Sequence, residues 1–179
     1  REWSEGAVKF SSGRVVNQFK LRFDCVRNQL ILQFQGSTFA AESKVKEFVL
    51  YTGSGKKKDS LVFRKGYPAV DNATDNTYYH VLVDEKVQLL RLVSKNIIEE
   101  KELISSNRGG ARGRLEDAEK YYLLKDGRMI FLPAEKDDLL KALPEKADAL
   151  SAFISEKRLR FKSHHDYTLL VSKYVELMQ

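Results

Sequence analysis

Apolar residues alternate with polar ones along most of the first 132 residues, and after Pro133 they recur at intervals of three and four. Alternation places successive side chains on opposite faces of a strand, whereas intervals of three and four place them on one side of a helix. The pattern therefore predicts an α+β protein, mainly antiparallel β. We expect a β-meander, either a sandwich or an open barrel-like sheet, followed by a C-terminal helical segment of two to three helices.

The first half of the chain predicts a series of hairpins. Val8 and Phe10 mark one face of a first strand, which turns at residues 11–13. We expect the return arm to be one strand, whose apolar face consists of alternate residues: Val15, Phe19, Leu21 and Phe23. Further strands are predicted at residues 30–34, 45–50 and 61–63, with a short extension at residues 37–40.

The second half of the β portion contains its strongest signals. Residues 78–83 and 87–93 are apolar on both faces, which is typical of central strands that are covered on two sides. Residues 97–103 predict another strand, nearer an edge. Asp126 and Gly127 separate two apolar runs and predict a type I′ hairpin, because both central residues of that turn need a positive φ.

The helical end divides into three pieces. Residues 138–143 predict a short helix that stops before Pro144, and this proline can open the next helix at its first turn. The second helix has an apolar stripe at Ala147, Leu150 and Ile154. In the third helix, Ser163 and Asp166 form a capping box, and apolar residues then keep helical spacing to the end of the chain.

The length of 179 residues fits one domain. Within it we expect residues 1–132 to form the antiparallel β portion and residues 133–179 to form a helical end packed on that portion. A mobile loop is predicted at residues 105–118, because this segment combines glycines with like charges and has no large side chain before Leu115.

The net charge of +6 is unevenly distributed. Residues 1–70 contain thirteen Lys and Arg against six acidic residues, whereas residues 71–179 contain eighteen against nineteen. A basic first portion attracts phosphates, anionic glycans and acidic proteins. Cys25 is the single cysteine, so an internal disulfide is excluded, and no apolar run is long enough to predict a transmembrane segment.

Two basic segments are the candidates for contact with an anion or a partner. The first contributes Arg108, Arg112 and Arg114, and the second contributes Lys56, Lys57 and Lys58. The arginine and glycine segment is similar to those that bind single-stranded nucleic acid, but it occurs once and lacks interleaved aromatic residues. The lysine segment lacks the spacing of a phosphate-binding loop and leads into a predicted strand rather than a helix. Nucleic acid is therefore disfavoured as a partner.

No residue pattern predicts a catalytic, cofactor-binding or metal-binding site. His164 and His165 are adjacent, so on a helix their side chains diverge by about 100° and are poor joint ligands. His80 lies within a predicted strand without a recognisable nucleophile nearby in sequence. We therefore expect no cofactor and favour a non-enzymatic protein.

Several segments of the chain resemble exported proteins of the Bacteroidetes that have no assigned activity. The resemblance is carried by Trp3-Ser-Glu-Gly, by Val8-Lys-Phe-Ser-Ser-Gly, by Tyr121-Tyr-Leu-Leu-Lys-Asp-Gly, and by Leu159-Arg-Phe with the tyrosine-containing last helix. Such proteins usually carry a cleaved signal peptide. The resemblance therefore implies an exported protein, periplasmic or associated with the outer envelope, and it supplies no catalytic residue.

The start at Arg1 without a methionine predicts that a segment has been removed, either a signal peptide or an expression tag. The leading hypothesis is a non-enzymatic binding or scaffold module of a bacterial cell envelope, whose partner is an envelope protein or an anionic glycan. One alternative is a cytoplasmic nucleic-acid-binding protein that uses the basic portion and the arginine and glycine segment. A second alternative is a hydrolase whose site is scattered in sequence.

Overall fold

The computed structural model describes residues 2–41, 44–53, 59–99 and 113–179, with the backbone alone for residues 96–99 and 113–115. In these ranges, eleven strands precede three α-helices. The strands are β1 (Ser4–Phe10), β2 (Val15–Val16), β3 (Lys20–Asp24), β4 (Gln29–Phe34), β5 (Ser37–Ala40), β6 (Val45–Thr52), β7 (Asp59–Arg64), β8 (Tyr79–Asp84), β9 (Gln88–Glu99), β10 (Gly113–Lys125) and β11 (Arg128–Leu132). The helices are α1 (Lys136–Ala142), α2 (Ala147–Lys157) and α3 (His164–Leu177).

The strands form one open sheet in the order β11-β10-β9-β8-β7-β6-β1-β3-β4-β5, and β2 pairs with β1 outside this path. Each pair of neighbouring strands is antiparallel. The prediction of an α+β fold with a large antiparallel sheet and C-terminal helices is confirmed. Of the two arrangements expected, the structure has an open sheet that does not close.

The sheet curls so that its first strands cover its middle strands. In a flat sheet, β3 and β7 would lie about 14 Å apart, because two other strands separate them. The rings of Phe23 in β3 and Phe63 in β7 are nevertheless only 4.8 Å apart. The strands β3 to β5 therefore fold back over β6 and β7, and a core of buried apolar residues fills the space between them.

Gly6 makes this curl possible. The residues just before it, Ser4 and Glu5, pair with β3, whereas Gly6 itself pairs with Leu50 of β6. A Cβ atom at Gly6 would lie 2.0 Å from the backbone oxygen of Val49 and 2.6 Å from Cδ1 of Leu21. Only glycine allows β1 to run between both neighbours at this distance.

One row of neighbouring residues crosses the sheet from β6 to β11. The strand registers place Phe48, Phe63, His80, Arg91, Tyr121 and Leu132 side by side. Residues directly opposite each other share a face of the sheet. The two cores at the ends of this row, one under β3 to β5 and one under the helices, therefore lie on the same face.

The helices cover the β8 to β11 end of that face. The apolar stripe of α3 is buried there, through Tyr167, Leu170, Val171, Tyr174 and Val175. Lys125 of β10 fixes the helical layer, since its Nζ lies 2.5 Å from Oε2 of Glu145 and 3.0 Å from the hydroxyl oxygen of Tyr174. None of the helices in the described part of the chain is both long and apolar enough to span a membrane.

The connection between β7 and β8 covers the opposite face. Tyr67 and Ala73 from this connection pack against Tyr79, Val81 and other residues of the central strands. The expectation that β8 and the first half of β9 are covered on both sides is confirmed. The type I′ hairpin is confirmed as well, because Asp126 and Gly127 have φ values of 50° and 73° and Lys125 pairs with Arg128.

Three local predictions differ from the structure. The return arm of the first hairpin is two strands, β2 and β3, because residues 17–19 leave the β1 ladder before β3 joins it. Of the strand predicted at residues 97–103, residues 97–99 continue β9 rather than beginning a separate strand, and residues 100–103 lie outside the described residues. The last six residues of the predicted loop, 113–118, belong to β10, whereas residues 105–112 lie outside the described residues.

The predicted capping box is a fourth difference. Ser163 does precede α3, but its side chain makes no capping hydrogen bond. Asp166 instead accepts hydrogen bonds from the backbone N–H groups of Arg160 and Phe161, at 3.0 and 2.8 Å. Its carboxylate therefore holds the link that precedes the helix, in which Phe161 has a positive φ of 54°.

We expect Gly6→Ala to lower the free energy of unfolding by about 3 kcal/mol or more, because the added methyl group overlaps backbone that cannot move without breaking a ladder. Gly127→Ala is the matched control, since no atom lies within 4 Å of its added Cβ and the cost is limited to backbone strain. Urea unfolding of both variants checks this. Equal losses in the two variants would contradict the tight approach of β1.

Helix α3 is expected to be essential to the fold. Leu170 is fully buried in the helix-covered core, so Leu170→Ala should cost about 2–5 kcal/mol. Met178→Ala, at an apolar residue that is 39% exposed, should change stability little. Thermal unfolding followed by circular dichroism measures both. A Leu170→Ala variant with unchanged stability would mean that α3 is a detachable appendage.

Candidate functional site

The described part of the chain contains an open cleft of about 490 Å³ between the β3–β4 turn and the long hairpin of β9 and β10. We call it the hairpin cleft. It is lined by Arg22, Phe23, Asp24, Cys25, Val26, Ile31, Val93, Lys95 and Asp117. The residues between 22 and 31 belong to β3, β4 and the turn between them, and Val93, Lys95 and Asp117 belong to β9 and β10. About 70 positions of the sequence separate Asp24 from Lys95.

The β3–β4 turn forms one wall and is held firmly. The carboxylate of Asp24 accepts hydrogen bonds from the backbone N–H groups of Val26 and Arg27, at 2.9 and 3.2 Å, and from the Arg27 guanidinium at 3.1 Å. Partial burial raises the pKa of Asp24, but these hydrogen bonds outweigh it and leave the pKa below its ordinary value. The wall therefore presents a fixed negative charge.

Asn28 attaches this turn to the main sheet. Its side-chain amide donates to the backbone oxygen of Tyr78 at 3.0 Å and accepts from the Tyr78 backbone N–H at 2.7 Å. The Tyr78 hydroxyl in turn donates to the backbone oxygen of Val45 at 2.7 Å. The position of the wall relative to the hairpin is thus set by hydrogen bonds that reach across the fold.

The β9–β10 hairpin forms the floor through Val93, Lys95 and Asp117, and a ladder of opposite charges runs from this floor toward the core. Lys95 lies opposite Asp117, and their charged atoms are 3.1 Å apart. Two steps nearer the core, Glu119 forms an ion pair with Arg91 and accepts a hydrogen bond from the Tyr121 hydroxyl. Alternate residues of paired strands share one face, so these groups follow one another along the same side of the hairpin.

Electrostatics fixes the charge states of Glu119 and Tyr121. Burial raises the pKa of Glu119, but Arg91 and the Tyr121 hydroxyl stabilise its anion more strongly and lower the pKa overall. Burial and the hydrogen bond to Glu119 raise the pKa of Tyr121. At neutral pH, Glu119 is therefore an anion and Tyr121 is a neutral donor.

The inner end of the ladder lies where the two covering layers meet. Tyr121 stacks on Tyr167 of α3, with ring centroids 3.8 Å apart. His80 is 6% exposed and stacks on Phe63 at 5.2 Å. The Nε atom of Arg91 is buried without a hydrogen-bond partner among the described residues. The site is therefore polar and rigid at its inner end and open to solvent at its outer end.

This arrangement is suited to recognition. General acid and base catalysis works best with a pKa near the working pH. Here the shifts move carboxyl pKa values down and tyrosine pKa values up, away from neutrality. What the cleft offers is a set of fixed positive and negative charges beside the apolar side chains Val26, Ile31 and Val93.

Of the six predicted contact residues, the structure describes one, Arg114, and that one by its backbone alone. Arg114 lies in β10 with its backbone opposite Ile98. Lys56, Lys57, Lys58, Arg108 and Arg112 lie outside the described residues. Within the described ranges, no group of three or more His, Cys, Asp or Glu side chains is placed to hold a metal ion.

Arg91 and Glu119 are the residues that sequence reasoning missed. Arg91 is a lone charge in the middle of an apolar run that was expected to be buried on both faces. Charged residues are almost never buried without a partner, so this position was a signal for a paired charge. The sequence does not identify the partner of Arg91, because it does not show which residue of β10 pairs with which residue of β9.

The tyrosines predict a loss of stability in alkali. Burial raises the pKa of Tyr78, Tyr79 and Tyr167 from 10.0 to about 12. Between these values the unfolded chain releases protons that the folded chain keeps, so raising the pH favours unfolding. We expect the free energy of unfolding to fall as the pH rises from about 10 to about 12.

Urea unfolding at a series of pH values measures this effect, with tyrosinate absorbance as a second signal. Tyr167→Phe should reduce the slope against pH, whereas Tyr51→Phe, at a side chain that is 46% exposed, should not. A free energy of unfolding that stays constant across this range would show that the tyrosines are accessible in the folded protein.

Comparison with known proteins does not extend this description. The chain matches no model of a protein family, no curated protein and no solved structure. Its function is therefore inferred from the geometry of the hairpin cleft and from the sequence.

Proposed function

We propose that this chain is a non-enzymatic binding or scaffold module of a bacterial cell envelope, and that the hairpin cleft is its principal contact surface. The observation that carries the proposal is the ion pair of Lys95 with Asp117 on the cleft floor, which the pair of Arg91 with Glu119 continues toward the core. These pairs hold charged groups in place before any ligand arrives. Preorganised groups lose little entropy on binding, which favours affinity.

The outer part of the cleft is accessible to a large partner. The side chains of Lys95 and Asp117 are 36% and 69% exposed, and Val26 is 54% exposed. An exposed apolar residue beside charges of both signs matches the composition of protein contact surfaces, which combine apolar centres with polar rims. The cleft is therefore suited to an extended ligand that lies across it.

The envelope location is supported by the resemblance of several segments to exported proteins of the Bacteroidetes. The basic first 70 residues, with thirteen Lys and Arg against six acidic residues, favour an anionic glycan or an acidic envelope protein as the partner. This charge acts at long range, whereas the fixed charges of the cleft act at contact distance.

Co-sedimentation of the purified protein with isolated envelope fractions tests the proposal. Peptidoglycan sacculi and outer-membrane vesicles would be prepared separately from a Bacteroidetes species, at about 150 mM salt. We expect retention on one of these fractions and a several-fold loss of retention in Lys95→Ala. Lys141→Ala is the matched control, because Lys141 also forms a surface ion pair but lies on α1, remote from the cleft.

Two results would overturn the proposal. The first is no retention on either fraction together with salt-resistant binding to a single-stranded oligonucleotide, which would favour the nucleic-acid alternative. The second is turnover of ester, peptide or glycoside substrates by the purified chain, which would favour the hydrolase.

A further inference from the structure

A second open cleft, of about 600 Å³, lies where the first residues of the described chain meet the end of β6. We call it the N-terminal cleft. Its lining combines two aromatic side chains, Trp3 and Tyr51, with two carboxylates, Glu2 and Glu5. Its volume lies within the range of about 300–1,000 Å³ that small-molecule sites usually have.

The sheet itself builds this arrangement. Gly6 pairs with Leu50, so Glu5 comes next to Tyr51 across the β1–β6 ladder. On the other side of β1, Ser4 pairs with Leu21, which brings Trp3 beside Arg22. Glu5 and Tyr51 are thus carried by paired strands, which hold binding groups more accurately than loops do, and Glu2 and Trp3 lie directly before β1.

The two aromatic residues offer ring surface to a ligand. Tyr51 is 46% exposed, and Trp3 is partly exposed. The Arg22 guanidinium, which lines the hairpin cleft, lies 4.8 Å from the centre of a Trp3 ring and orients the indole. An exposed aromatic side chain on a sheet can pack against a flat apolar ligand surface and gain both buried area and ring contacts.

The carboxylates supply the complementary polar contacts. Glu2 and Glu5 are both exposed, and neither forms an ion pair with another described residue. Their oxygens can therefore accept hydrogen bonds from a ligand. Hydrogen bonds that involve an ionised partner are roughly twice as strong as neutral ones.

We propose that the N-terminal cleft binds a neutral saccharide. A pyranose has a face of C–H bonds that packs on aromatic rings, and a rim of hydroxyl groups that donate to carboxylates and accept from hydroxyl donors. The cleft lining carries the aromatic rings of Trp3 and Tyr51, the carboxylates of Glu2 and Glu5, and the hydroxyl group of Ser4. This inference rests on the proposed function and names a ligand class for the binding module, at a second surface.

The charges decide between a saccharide and other ligands. Two carboxylates repel an anionic ligand, although the rest of the first 70 residues is basic. The Arg22 guanidinium already lies against Trp3 and disfavours a second cation there. A neutral ligand with many hydroxyl groups uses the donors and the acceptors together.

The single tryptophan gives a direct measurement, because Trp3 is the only residue of its type in the chain. Its emission would be titrated with three neutral trisaccharides, of glucose in α and in β linkage and of N-acetylglucosamine. Trigalacturonate and tetramethylammonium would be titrated as anionic and cationic probes. We expect a saturable change with at least one neutral trisaccharide and with neither charged probe.

Variants locate the site. Tyr51→Ala should weaken binding about tenfold, whereas Tyr51→Phe should retain it, because the phenyl ring keeps the packing surface. Phe131→Ala is the matched control, since Phe131 is also 46% exposed but lies in the edge strand β11, which four strands separate from β6. Glu5→Gln should weaken binding without abolishing it.

Each outcome has a defined meaning. A saturable response to tetramethylammonium alone, or to no probe, overturns the saccharide site. Binding that Phe131→Ala weakens as much as Tyr51→Ala does places the ligand elsewhere and also overturns it. Retention of Tyr51→Ala on an envelope fraction at the level of the unaltered chain separates the two proposals, since the binding module would then stand without this site.

Discussion

The row of neighbouring residues from Phe48 to Leu132 is the constraint on which the rest of the structure depends. It spans six strands and must be buried along its length, yet the covering elements differ at its two ends. Strands β3 to β5 cover one end and the helices cover the other. His80 and Arg91 lie between the two cores, at the place where the two covering layers meet on one face of the sheet. The centre of the row is therefore polar.

The two clefts arise from the same curl. Folding β3 to β5 back over the sheet brings the β3–β4 turn beside the β9–β10 hairpin and leaves the hairpin cleft between them. The fold-back also places Arg22 against Trp3 at the edge of the N-terminal cleft. Gly6 stands at the pivot, because a side chain there would separate β1 from Val49 and Leu21. The residue that permits the curl thereby determines where both candidate surfaces lie.

Ionisable groups are used in this fold mainly for fixed contacts. Arg64 contacts Glu47 at 2.5 Å and Asp84 at 2.8 Å, and Lys120 contacts Asp71 at 3.0 Å. Partly exposed ion pairs of this kind add little to stability. Their consistent contribution is geometric, since each one joins segments that are distant in sequence. The same property makes the Lys95–Asp117 and Arg91–Glu119 ladder a defined surface for a ligand.

Local chemistry determined much of the fold from the sequence alone. Alternation predicted the strands, the Asp126-Gly127 pair predicted its hairpin, and helical spacing predicted the buried stripe of α3, because each signal depends on neighbouring residues. The break between β2 and β3, the continuation of β9 through residues 97–99 and the role of Asp166 depended on packing. The pairing of Arg91 with Glu119 and the approach of Arg22 to Trp3 were decided only by the tertiary structure. Those contacts arise from strand register and from the curl at Gly6, and no local pattern encodes which distant side chains a curled sheet brings together.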